Sequence, residues 1–194
     1  MANPEKTEKG KLTASDWERG ALELIAEQGI NAVAVESLAR RMGITKGSFY
    51  WHFPNRQALI EQSLLRWLEH DERNLQLLMD AIEDPRERLI LFFRRSTQVH
   101  KLTHDVYTAL CFAPDHPLVE PVLAAVAERR TSYLANAFCE LGMDTESANF
   151  RARLTYAAYV GYLQLMQQEQ APVPESPEFE AYLEHVIKTL IPTV

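Results

Sequence analysis

The chain is poor in several things, and each scarcity narrows what it can be. Cysteine occurs only twice, at Cys111 and Cys139, far apart on a stretch of helical pattern, so no disulfide framework is suggested. No uninterrupted apolar run approaches the roughly 18 residues that a membrane-spanning helix needs. The opening stretch MANPEKTEKGKL is polar and charged and lacks the apolar middle of a signal peptide. The chain is therefore read as intracellular and cytoplasmic, with no membrane partner. Glycine is scarce, at seven residues, and none of it forms a phosphate-cradling loop. No nucleophile stands at a telling spacing from a base, so no catalytic residue is named, no cofactor is called for and an enzyme is not expected.

What is present is an ordinary globular composition, 46% hydrophobic and 24% charged, in 194 residues. That length suffices for one large domain or two small ones. The formal net charge of −7 argues against a protein that coats nucleic acid indiscriminately. The charge is unevenly spread. Residues 1–56 hold eight of the 20 Lys/Arg and seven of the 27 Asp/Glu, so the acidic excess lies in the remainder. A near-neutral head on an acidic body is compatible with one end approaching phosphate.

Nothing in the pattern reads as strand, because apolar residues recur at helical spacing throughout. A first helix is expected from a Thr13 cap, with Trp17, Ala21, Leu24 and Ile25 inward and Gly29 ending it in a left-handed conformation. VESLARRMG predicts a short second helix closed by Gly43. Thr45 is placed to cap a third helix, Lys46 to Phe53, and Pro54 punctuates the chain there. Asn55 then caps a fourth helix, Arg56 to Asp80. Further helices are expected at about 85–102, 104–112, 117–141, 146–170 and 177–191. The fold class is therefore all-α with about nine helices. Helix 146–170 is apolar nearly all round, with Phe150, Leu154, Ala157, Ala158, Gly161 and Leu165 on one side, and so needs cover on two sides. Its second cover is either the chain's own core or a partner subunit.

The stretch ITKGSFYWHFPNRQAL crowds five rings into residues 49–53. At 100° per residue, Phe49 and Phe53 define one face and are the core contacts. Trp51 points almost opposite, with Gly47 and Ser48 beside it and Tyr50 and His52 flanking. A Gly-Ser-Trp face led by Lys46 suits a surface that presses on something. Gly47 permits close approach, hydroxyls can donate to phosphate, and a helix N-terminus favours anions.

Two short helices joined by a tight turn, the second one presented, make the helix-turn-helix arrangement. TASDWERGALELIAEQGINAVAVESLARRMGITKGSFYWHFPNRQAL closely resembles the N-terminal domain of the TetR-type (TetR/AcrR) transcriptional regulators. The resemblance implies a homodimer on a palindromic double-stranded operator, with the third helix in the major groove. It also implies a division into a DNA-binding domain, 1–55, and a ligand-binding and dimerisation domain, 56–194. Thr45, Lys46, Gly47, Ser48, Tyr50, Trp51 and His52 stand where DNA contacts usually lie, and Arg56 where a basic residue grips phosphate. One departure is Ala34, where the family commonly has a capping Thr; Arg40 and Arg41 are less well-placed substitutes.

The resemblance further implies a pocket for a small-molecule effector and a dimer interface among the C-terminal helices, with the last two long helices supplying the interface. Phe92, Phe93, His100, His104, Tyr107, Phe112, Tyr156 and Tyr159 lie on helices that commonly line such a pocket. His100 and His104 are four apart, as two metal ligands would be, but histidines at a helix end explain this spacing as well and no metal is assigned. The expected function is a ligand-released repressor. The alternative is an all-α small-molecule-binding protein or enzyme whose helix-turn-helix merely packs. Trp51 separates the two, since a DNA reader leaves its ring exposed and a packed one buries it.

Overall fold

The protein is described by a computed structural model over residues 13–95 and 101–192. Among these residues there are nine α-helices, one 3-10 turn and no strand. Helix α1 (Ala14–Gln28) starts at a reciprocal cap. The Thr13 hydroxyl accepts from the Asp16 amide at 3.3 Å, and the Asp16 carboxylate accepts from the Thr13 amide at 2.8 Å. That backbone hydrogen bond holds the Asp16 carboxyl below its ordinary range. The expected face Trp17, Ala21, Leu24 and Ile25 is buried. Gly29, at φ 82° and ψ 166°, ends the helix in a region that essentially only glycine adopts. It is positive in φ as expected, but it lies outside the left-handed helical well.

Helices α2 (Val35–Arg41) and α3 (Lys46–Phe49) follow, joined through Gly43 at φ 67°. Two expectations fail here. The regular helix α3 stops at Phe49, and residues 50–52 form turns in which the amides of His52 and Phe53 both donate to the Phe49 carbonyl. Pro54 disfavours helical geometry at Phe53, so the last turn tightens instead of continuing. The Thr45 side chain also makes no capping bond. By contrast α4 (Arg56–Asp80) begins and ends as expected, with the Asn55 side chain accepting from the Ala58 amide at 2.9 Å.

The body consists of α5 (Pro85–Arg95), α6 (Lys101–Cys111), α7 (Glu120–Glu140), α8 (Thr145–Gln167) and α9 (Pro177–Leu190). The break expected near 103 is absent, since neither glycine nor proline stands there and α6 runs through it. Helix α7 packs along α8 and also meets α4 and α5, while α5 meets α9. Helix α1 packs against both α4 and α6, so the head touches the body through two elements. The buried apolar cluster runs unbroken from Trp17 to Ile191. Helix α8 turns Ala148, Ala152, Tyr159, Tyr162 and Leu163 inward. Its outer stripe, Phe150, Leu154, Ala157 and Leu165, is exposed, and a Cβ at Gly161 would meet nothing within 4 Å. Among the described residues no helix is long and apolar enough to cross a membrane.

Candidate functional sites: the presented helix and the buried arginine

The five rings of residues 49–53 separate by geometry. Phe49 is fully buried, edge-on to Trp17 at 5.2 Å between centroids and stacked on Phe53 at 5.7 Å. These contacts anchor α3, which is too short to hold itself. Trp51, two residues on, is 87% exposed, and Tyr50 is exposed beside it. His52 is half-buried, its ring 6.5 Å from that of Phe53. Thr45, Lys46 and Gly47 are exposed, and the Ser48 hydroxyl donates to the Thr45 carbonyl at 2.9 Å. A Cβ on Gly47 would meet only the Thr45 hydroxyl, at 3.9 Å, so nothing inside the molecule requires glycine there.

The cations of the head are unevenly engaged. Lys46 is paired with Glu36 of α2, which raises the Lys46 pKa and lowers that of Glu36. Arg41 is held bidentately by Glu27, both contacts at 2.6 Å, and this keeps the Glu27 carboxyl low. Arg40 is exposed with no polar partner among the described residues. Ala34 leaves the start of α2 without a side-chain cap. Arg56 differs from expectation most. Its Nε donates to the Val33 carbonyl, and its Nη2 donates to Ile30 at 3.1 Å and Asn31 at 3.5 Å. Only Nη1 lacks a partner among the described residues, so the guanidinium chiefly ties the start of α4 to the α1–α2 connection.

The residues expected to line a pocket divide three ways. Tyr107, Tyr156 and Tyr159 come together around Arg130 of α7, whose guanidinium carbon lies 4.3 Å from the Tyr107 ring centroid and 5.7 Å from that of Tyr159. The Tyr107 and Tyr156 hydroxyls are 2.7 Å apart. Trp67 of α4 stacks on Tyr107, which stacks on Tyr159 in turn. Arg130 reaches Asp71 of α4 through Nη2 alone, at 3.2 and 3.3 Å to the two carboxylate oxygens. The paired side chains are only 12% and 16% exposed. Burial opposes the charge on Arg130, but the tyrosine oxygens and Asp71 outweigh it and the pKa is raised. Burial also pushes the hydroxyls of Tyr107, Tyr156 and Tyr159 upward, so all three keep their protons.

Phe93 and Tyr159 border an apolar cavity with Ala158, Tyr162, Phe179 and Leu183, of about 30 Å³. His104 borders a half-open hollow of about 340 Å³ between α6 and the end of α8, with Asp105, Tyr162, Leu163, Met166 and Glu169. Burial, with Arg130 adding to it, lowers the His104 pKa against the pull of Asp105, so its imidazole is neutral near pH 7. Phe92 is buried edge-on against Phe93, whereas Phe112 is exposed past the end of α6. His100 lies outside the described residues. The sequence reading missed Trp67, Asp71 and Arg130. Asp71 and Arg130 stand in runs, HDER and AERR, that read as solvated helix faces, and nothing local sets them apart.

The model for bacterial regulatory proteins of the tetR family matches residues 19–62, the span from α1 through the presented rings into α4. Over this span the chain is similar to the bacterial regulatory proteins of the tetR family. The tetracycline repressor protein class A from transposon 1721 of Escherichia coli is 37% identical over 51 residues, 26% of this chain and 24% of that protein. The HTH-type transcriptional repressor KstR2 of Mycolicibacterium smegmatis is 29% identical over 84 residues, 43% of this chain and 41% of that protein. The chain thus matches less than half the length of these repressors. A transcriptional regulator from Saccharomonospora viridis, solved in complex with choline, shares the fold at a TM-score of 0.73 and 16% identity. That likeness covers 91% of this chain and 92% of the other. Sequence similarity is concentrated in the head, and the body is shared as fold alone.

Proposed function

We propose that this protein is a DNA-binding transcriptional repressor that reads a palindromic operator as a homodimer and is released by a small molecule. One observation carries the DNA-reading part. A tryptophan 87% exposed stands in the turn two residues past the fully buried phenylalanine that ends α3. Exposing so large a ring is unfavourable in a free monomer unless a partner covers it. A helix-turn-helix whose second helix merely packed would bury it. Thr45, Lys46, Gly47, Ser48, Tyr50, Trp51 and His52 are the proposed DNA contacts, and Arg56 joins them through Nη1 only. Lys46 must exchange Glu36 for phosphate, which a screened surface pair permits at little cost.

The exposed α8 stripe supports the homodimer, because the apolar all-round pattern of that helix leaves one face uncovered by its own chain. The matched repressors support the sign of regulation, and the choline complex of a fold neighbour supports an effector site in the body. The proposed division at residue 55 is supported by Asn55 starting α4, the helix that runs from the head past Asp71.

Selection of purified protein against random double-stranded DNA tests this reading. The expected result is one inverted repeat with half-sites about 34–36 Å apart or a multiple of that. Recovery of no motif, or of one unaltered by changing Ser48 and Trp51, would overturn base reading by this helix.

A further inference from the structure

Around Arg130, one carboxylate and three tyrosine hydroxyls meet a buried guanidinium. Arg130 brings five N–H groups, and Tyr107, Tyr156 and Tyr159 each bring a hydroxyl. The acceptors are the three hydroxyl oxygens and one carboxylate, Asp71, the only ionised one among them. The Tyr107–Tyr156 bond uses one hydroxyl proton and leaves the other for a further acceptor. The Asp71 contact is itself imperfect. Both carboxylate oxygens are met by Nη2 alone, at 3.2 and 3.3 Å. A two-nitrogen fork would lie at about 2.7–2.9 Å. A buried cation whose one carboxylate is held this loosely is suited to an additional or better-placed anion.

We infer that Arg130 is the reading residue of an effector site for aromatic carboxylates, and that the carboxylate competes with Asp71 for it. This rests on the reading of the chain as an effector-controlled DNA binder. The ligand's carboxylate takes two guanidinium nitrogens and a tyrosine hydroxyl. Its planar body lies against Tyr159, whose ring also walls the apolar cavity of Phe93, Tyr162, Phe179 and Leu183. That cavity, about 30 Å³, holds no more than a water-sized group, so α5, α8 and α9 must part to admit a ring. An apolar boundary with no lysine or arginine in it admits the flat body of the ligand and leaves its charge to Arg130.

The consequence for the head runs through α4. Asp71 is the α4 group bonded to Arg130, and fifteen residues earlier Arg56 fastens that helix to the carbonyls of Ile30 and Val33. Capturing Arg130 releases Asp71 toward solvent and loosens α4 from α7 there, leaving the Arg129–Glu72 and Tyr133–Gln76 contacts between them. The start of α4 carries the α1–α2 connection with it. The ligand favours the released position because only there is Arg130 available to it, which is the differential affinity a switch requires.

Calorimetry with 2-naphthoate, the neutral 2-naphthamide and the cationic 2-naphthylmethylamine decides the matter on the unaltered full chain. Naphthoate is expected to bind at least tenfold more tightly than either isostere. Asp71→Asn, which removes the competitor, is expected to tighten naphthoate binding at least tenfold further and to weaken operator binding without ligand. Arg130→Met is expected to abolish the preference for the carboxylate. If that variant does not fold, the three ligands and Asp71→Asn still give the answer. Naphthamide binding within twofold of naphthoate, or Asp71→Asn binding naphthoate no more tightly, would overturn the site. Failure of operator selection would sink the regulator reading while leaving this comparison intact. Success there with no carboxylate preference would sink this inference alone.

Discussion

Substituting two rings, Phe49→Ala and Trp51→Ala, places opposite perturbations two residues apart, at the end of α3 and in the turn that follows it. Phe49 is fully buried between Trp17 and Phe53. Truncating a phenyl in such a site costs about 3–5 kcal/mol in lost burial and residual cavity. Its ring pairs, about 0.5–1.5 kcal/mol each beyond area, place the cost at the upper end. Trp51 has 87% of its surface in water, so its removal should change stability by less than about 0.5 kcal/mol. In the DNA complex the ranking reverses. A centrally placed aromatic anchor costs about 2 kcal/mol or more on truncation, roughly a thirtyfold loss of affinity. Urea unfolding with the slope checked for constancy gives the first pair of numbers. Titration of a selected operator at one fixed salt concentration gives the second. A Trp51→Ala variant that unfolds more than 1 kcal/mol early, or that binds operator as tightly as the parent, would refute the division of this helix into a core face and a DNA face.

Arg56→Ala should destabilise the protein by about 1–3 kcal/mol, since three backbone carbonyls lose a charged donor. The slope of log K against log[salt] for operator binding should flatten by about 0.9 for the one contact made through Nη1; an unchanged slope would remove Arg56 from the DNA contacts. Leu154→Glu, in an α8 stripe position 55% exposed, should leave the monomer's unfolding unchanged and shift sedimentation from dimer to monomer. An unchanged dimer would move the interface off this face. His104 has a folded pKa below its unfolded value, so the unfolded state binds the proton more readily. Its contribution is in place above about pH 6.5 and is lost as pH falls below that value. The parent should therefore lose stability between pH 7.5 and 5.5 more steeply than His104→Gln, by at most about 1.4 kcal/mol per pH unit. Parallel slopes in urea unfolding would show that burial does not hold the imidazole neutral.

Much of the head could be read in the sequence, because its signals are local. The Thr13–Asp16 cap, the inward face of α1, the Asn55 start of α4 and the opposition of Phe49 to Trp51 all follow from spacing along one helix. Where local reading failed, the competing contact was itself short-range but unseen. Pro54 tightened the end of α3, and the Thr45 cap was not made. The continuity of α6 through Thr103 was hidden by a boundary that no glycine or proline enforces.

The arginine cluster belongs to a different class. Arg130, Asp71, Trp67, Tyr107 and Tyr159 come from four helices, and only Trp67 and Asp71, four apart on α4, are linked by spacing along the chain. Arg130 sits beside Arg129, which pairs with Glu72 in a more exposed position, so two adjacent arginines of one run have opposite fates. The same holds for Arg56, a basic residue at the start of a helix whose guanidinium turns to carbonyls more than twenty residues away. The amino-acid sequence alone determined most of the helices, the Thr13 and Asn55 caps and which of Phe49 and Trp51 meets water, because propensity and periodicity act within a few residues. Only the tertiary structure decided which charges are buried together and which face of α8 stays bare. Those outcomes depend on how helices distant in sequence cross, and a side chain's burial is settled at the crossing.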